Sequence, residues 1–119
     1  MLENNHEKKP KKYAGILAHP TSFPSPYGIG DLGKGAYRFI DFLANSGLNL
    51  WQVLPLGHTG FGDSPYQPFS AFAGQPLIID LDALKEYKLL SDDDFTYMPE
   101  WDPVHIDYGT LITFKTKLL

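Results

Sequence analysis

The sequence predicts an α/β protein made of strand–helix–strand units on a parallel sheet, and three segments carry that prediction. Residues 13–19 (YAGILAH) form a short aliphatic run suited to a buried strand. In residues 34–46, Ala36, Phe39, Ile40 and Leu43 recur at i, i+3, i+4 and i+7, one face of a helical period, with Lys34, Arg38, Asp41 and Asn45 largely on the other. Residues 48–56 (LNLWQVLPL) are nearly all apolar, as in a strand covered on both faces in a parallel sheet. Strand, loop, helix and strand within about 40 residues make a βαβ unit with a right-handed crossover.

The connecting segments follow from their breakers. Between the first strand and the helix lies PTSFPSPYGIGDLG, where Pro20, Pro24, Pro26, Gly28, Gly30 and Gly33 forbid a helix and specify a structured loop. Asp31 is a candidate cap or first-turn anion for the helix, and Gly47 its stop. Residues 55–76 hold four prolines, four glycines and four aromatics without a sustained period. A connection this long inside a compact domain usually carries function, and it leaves the C-terminal end of a parallel strand, where ligands bind in α/β folds. LIIDLDAL (77–84) reads as a further strand running into a short helix. Ser91 with Asp92–Asp94 reads as a helix start, Pro99 and Pro103 bracket an extended bridge, and Leu111, Phe114 and Leu118 share a face of a final helix. No Gly, Asn or Pro closes that helix, so the sequence is expected to stop inside an element.

Composition bounds the function. The 119 residues amount to one domain or a piece of one, with 43% apolar and 20% charged residues. No apolar run reaches the roughly 18 residues of a membrane span, and the polar start MLENNHEKKPKK lacks the apolar core of a secretory signal. Cys is absent, which removes disulfides and thiolate metal sites. A cytoplasmic address is expected. Ten basic side chains face fourteen acidic ones, and residues 1–12, read as a disordered polar tail, hold four of the former and two of the latter. The remainder therefore carries six against twelve and would repel a phosphate backbone, so no nucleic-acid partner is expected.

Gly28-Ile-Gly30-Asp-Leu-Gly33 spells G-x-G-x-x-G before a helix, but a Pro-rich stretch separates it from the strand. Val53 and Leu54, not an acid, lie 20 residues on. Turn geometry explains these glycines better than a dinucleotide. The four histidines show no metal-ligand spacing, and no metal or other cofactor is expected. His19 ends the first strand, where it would either face a ligand or hydrogen-bond the following turn. Asp63, Ser64, Pro65, Tyr66 and Gln67 form the sharpest cluster. An aromatic platform beside neutral and acidic hydrogen-bonding groups suits a sugar, whereas Ser64 lacks the surroundings of a hydrolase nucleophile. Phe61, Phe69 and Phe72 are read as a local apolar anchor for the loop. Asp80 and Asp82 read as strand termination and helix N-terminal charge, not as a catalytic carboxylate pair.

AGILAHPTSFPSPYGIGDLG and LWQVLPLGHTGFGDSPYQPFSAFAGQPLIIDL closely resemble the N-terminal region of the 4-α-glucanotransferases (amylomaltases, disproportionating enzymes) of glycoside hydrolase family 77. The resemblance covers roughly residues 13–90, with a weaker fit to the end. His58 stands where the family's usual form has Pro before Thr-Gly, and Gln75 stands where it has Asn before Pro. The resemblance implies a (β/α)8 barrel with inserted subdomains, of which this chain supplies the first βα units, and the start of an inserted helical subdomain near residues 91–119. It implies retaining transfer of an α-1,4-glucan segment to glucose or a maltooligosaccharide. Tyr66 would contact the sugar beside the scissile linkage, and Ser64, Pro65 and Gln67 would shape adjacent subsites. The family's catalytic carboxylates lie on later strands. A barrel takes about 250 residues, so the chain alone is expected to be inactive, with exposed strand edges and apolar faces.

Overall fold

The computed structural model describes residues 11–58, 70 and 72–119. The chain is mixed α/β. Strand β1 (Gly15–Leu17) leads through a 3-10 turn (Pro20–Ser22) and a long loop to helix α1 (Lys34–Asn45), then to strand β2 (Leu50–Gln52). A second 3-10 turn (Pro76–Ile78) precedes α2 (Leu81–Glu86), a third (Asp92–Phe95) follows it, and α3 (Tyr108–Leu118) ends the chain.

β1 and β2 pair in parallel, with Gly15 opposite Leu50, Ile16 opposite Trp51 and Leu17 opposite Gln52. Both strands are shorter than their apolar runs. The pairing continues past them through Ala18 N–H to the Gln52 carbonyl at 3.0 Å and the Trp51 indole N–H to the Ala18 carbonyl at 2.8 Å. Burial on both faces does not hold for this chain: Leu17 is 56% exposed and Leu50 48%. Two strands cannot cover each other's faces, and among the described residues no third strand joins them.

The expected strand at 77–80 is instead a 3-10 turn. Pro76 takes its first position, the Gln75 side chain accepts from Leu77 N–H, and Leu77 and Ile78 are buried without strand pairing. A short apolar run fits a buried turn as well as a buried strand, so periodicity could not separate them. The helical N-terminal role of Asp80 does hold, since its side chain caps α2 by accepting from Asp82 N–H at 3.0 Å. α1 begins on Gly33 with no side-chain cap. Asp31 lies just ahead of it as a turn-forming carboxylate that accepts from Gly33 N–H at 3.0 Å. Gly47, at φ +71°, lets the chain leave α1 in a left-handed conformation. Ser91 and Asp94 close a capping box on the third turn. Phe72 is fully exposed, so it anchors nothing; Phe61 and Phe69 lie outside the described residues.

The loop from Pro20 to Gly33 is held by packing as well as by its breakers. Phe23 meets Phe39 of α1 at 5.0 Å and Trp51 of β2 at 5.6 Å between ring centroids, and Phe39 meets Trp51 at 5.4 Å. This three-ring cluster fastens loop, helix and sheet together. A second cluster joins Ile29, Leu77 and Leu111, with Trp101, Ile106 and Tyr108 packed against it. Gly30 N–H donates to the Thr21 carbonyl at 3.1 Å, and a Cβ at Gly30 would run into the Pro20 carbonyl and, at 2.6 Å, the Phe23 backbone. The obstacles are main chain and cannot swing aside. Gly30→Ala is therefore expected to destabilise the protein by about 2–3 kcal/mol in denaturant titrations.

Candidate functional site

The C-terminal ends of β1 and β2 lie side by side, and the segments that leave them carry the candidate residues. From β1 comes His19. Its Nδ1 lies 2.7 Å from the Thr21 hydroxyl and 3.4 Å from Thr21 N–H. A backbone N–H can only donate, so Nδ1 accepts and the proton of the neutral ring sits on Nε2. Nε2 is buried, with no hydrogen-bond partner among the described residues. Of the two roles weighed for His19, the structure displays the local one, capping the Pro20–Ser22 turn. Asp63, Ser64, Pro65, Tyr66 and Gln67 leave from the β2 side and lie outside the described residues. What the structure does show is the neck of their segment. Gly57 and Gly74 form an antiparallel bridge, and Gln75 N–H donates to the Leu56 carbonyl at 2.9 Å. Gln75, the departure from the family's Asn, is buried and turned inward, with its Oε1 accepting from Leu77 N–H at 3.4 Å.

Three carboxylates gather around the starts of α1 and α2. Asp31 is buried and accepts from the Ser25 hydroxyl at 3.0 Å and from Gly33 N–H. Asp80 caps α2, and a Cβ at Gly33 would meet the carboxylates of both Asp80 and Asp31, at 2.7 and 2.9 Å. Asp82 accepts a hydrogen bond from the Tyr27 hydroxyl and pairs with Lys34 at 3.2 Å. The Tyr27 bond, ahead of Lys34, holds Asp82 below the usual carboxylate range. Burial first, then Asp82, pushes the Tyr27 phenol up. These contacts also account for the glycine pattern. Trp101 packs on Gly28, where a Cβ would lie 2.5 Å from the indole, and carboxylates occupy the surroundings of Gly33. A pyrophosphate at the start of α1 would meet negative charge.

Lys115 is the residue that sequence reasoning missed. It is fully buried (0% exposed) and its ammonium donates to the Leu77 carbonyl at 2.6 Å across 38 positions of sequence. Burial pulls its pKa down to about 8, against the opposing pull of Asp31 and Asp80. The signal lay in spacing, because Leu111, Phe114, Lys115 and Leu118 stand at i, i+3, i+4 and i+7, which places a lysine on the apolar face. An open groove of about 950 Å3 runs between Thr21–Gly30 and Met98–Ile106, with Phe23, Pro24 and Trp101 in its walls and Glu100, Asp102 and His105 along one side. His105 pairs with Asp102 at 3.4 Å. No helix among the described residues is long and apolar enough to cross a membrane.

Two tests follow from these electrostatics. Tyr27→Phe removes the main cause of the low Asp82 pKa, so that pKa is expected to rise in an NMR titration, with a stability loss of about 1 kcal/mol. Lys115 is the opposite case: the unfolded chain keeps its proton to about pH 10.4 and the folded chain only to about 8. Below pH 8 the buried charge therefore weakens the fold, and stability is regained between pH 8 and pH 10.4. The stability of Lys115→Met relative to the unmutated protein is expected to decline over that window, by on the order of 3 kcal/mol in chemical denaturation.

Comparison with known proteins matches this geometry to a family. The family model of the 4-alpha-glucanotransferases, glycoside hydrolase family 77, matches residues 18–119. The 4-alpha-glucanotransferase of Synechocystis is 49% identical over 109 residues, covering 92% of this chain and 22% of that protein. That of Thermus thermophilus is 52% identical over 105 residues, covering 88% and 20%. The chain thus spans about a fifth of the length of these curated relatives. Among solved structures, an amylomaltase from Streptococcus agalactiae in complex with acarbose superposes with a TM-score of 0.79 at 41% identity, over 91% of this chain and 23% of that one. With parallel strands that superpose on part of an amylomaltase and a family match over all but its first 17 residues, this chain belongs to the 4-alpha-glucanotransferase family.

Proposed function

We propose that this chain supplies the first βα units of the (β/α)8 catalytic barrel of a 4-α-glucanotransferase. That enzyme moves an α-1,4-glucan segment to the 4-hydroxyl of glucose or a maltooligosaccharide with retention of configuration. The observation that carries the reading is the family match over residues 18–119, together with a parallel β1–β2 pair whose C-terminal ends feed the two candidate segments. In this reading Tyr66 stacks on or bonds to the sugar beside the scissile linkage. Asp63, Ser64, Pro65 and Gln67 shape the neighbouring subsites, and the Nε2–H of His19 is a donor kept for the cleft. Residues 91–119 begin an inserted helical subdomain.

Retaining transfer proceeds by two displacements, each needing a nucleophilic carboxylate and a second carboxyl group acting first as acid and then as base. Among the described residues, three carboxylates near the helix starts have partners of their own: Asp31 has Ser25 and Gly33, Asp80 the α2 cap, and Asp82 Tyr27 and Lys34. By the family resemblance the catalytic pair belongs to later barrel strands, and in this reading the chain binds and orients glucan without cleaving it. Incubated with maltotriose, the longer enzyme is expected to produce glucose together with longer oligomers, whereas the 119-residue chain alone is expected to produce neither. Transfer by the short chain would overturn the division of labour, and binding without transfer in the longer enzyme would favour a non-catalytic glucan-binding role. Tyr66→Ala in the longer enzyme is expected to lower kcat/KM for maltotriose roughly 10- to 100-fold, the loss of one stacking and one hydrogen-bonding contact.

A further inference from the structure

We infer that Lys115 is a positioning residue for the glucan cleft, setting the junction through which the chain returns from the Gly57–Gly74 neck to α2. The inference rests on the functional reading given above. The chain leaves β2, is pinched at the Gly57–Gly74 bridge and by the Gln75 to Leu56 hydrogen bond, and immediately enters the Pro76–Ile78 turn. That turn is held from three directions. Gln75 Oε1 accepts from Leu77 N–H, the Ile78 carbonyl accepts from Leu32 N–H at 3.0 Å, and the Leu77 carbonyl accepts from Lys115 at 2.6 Å.

The third contact is unlike the other two. It is the only one of the three made by a charged group, and that group is wholly buried on the apolar side of α3. Burying an ammonium costs stability, and a methionine of similar length would fill the same volume without that cost. What methionine could not do is hold the Leu77 carbonyl, and through it the neck at the strand end. Asp31 and Asp80 favour the charged form through space, so the anchor also registers the starts of α1 and α2. A contact that costs the fold and fixes the approach to a binding cleft is a contact that serves geometry.

The test uses the longer enzyme that carries this segment, with Lys115→Met and Lys115→Gln, measuring glucose release from maltotriose together with Tm. Lys115→Met is expected to keep or raise Tm near pH 7 while raising KM roughly fivefold or more, with kcat within about twofold. Lys115→Gln, which retains an N–H, is expected to recover part of the KM. A merely structural lysine would instead lower Tm and leave the KM of the folded fraction unchanged. Wild-type KM in folded Lys115→Met overturns the inference, as does failure of both variants to fold. Absence of transfer from the unmutated longer enzyme overturns the functional reading itself, which separates the two failures.

Discussion

A lysine ammonium pressed against the Leu77 carbonyl joins two stretches 38 positions apart in sequence: the Pro76–Ile78 turn that leads into α2, and α3. Most of the architecture around the strand ends can be followed outward from it. Leu77 lies in the same cluster as Ile29 and Leu111, so the apolar and polar contacts of α3 converge on one turn. Ile29 belongs to the loop that Gly30 lets approach the Pro20–Phe23 backbone, and Phe23 carries that loop onto α1 and β2. The polar centre is costly in isolation because water is excluded from a charge. The carboxylates of Asp31 and Asp80 offset only part of that cost, since burial still pulls the lysine pKa down, and the apolar cluster beside it supplies packing.

The division between what the residues announced and what they concealed follows physical lines. α1 was legible because its apolar spacing and its Gly47 stop are local properties, and the structure runs it from Lys34 to Asn45. The two strands were legible as apolar runs, but their length depends on pairing partners and contracted to three residues each. Leu77 and Ile78 misled because burial, not strand pairing, is what their apolarity encodes. Phe72 misled for the converse reason: an aromatic in a loop need not be covered. Lys115 stayed hidden because lysine defaults to solvent, and the carbonyl that receives its ammonium belongs to a residue 38 positions away.

The Asp63–Gln67 cluster stands apart from these elements. Asp63 to Gln67 were singled out by chemistry and by family resemblance, and they lie outside the described residues. His19 shows the limit of placement by position. Being at the C-terminal end of a parallel strand made it a candidate, yet its Nδ1 serves the adjacent turn. That same contact fixes the ring tautomer, which turns a general candidate into one with a defined donor atom.

The Gly57–Gly74 bridge has a consequence for how this surface can change. A stretch whose two ends are already tied together has surrendered most of its closure entropy at the tie, and each doubling of its length then costs only about 0.6 kcal/mol. A change in the number of residues between those two glycines therefore adds little to the cost of the tie itself.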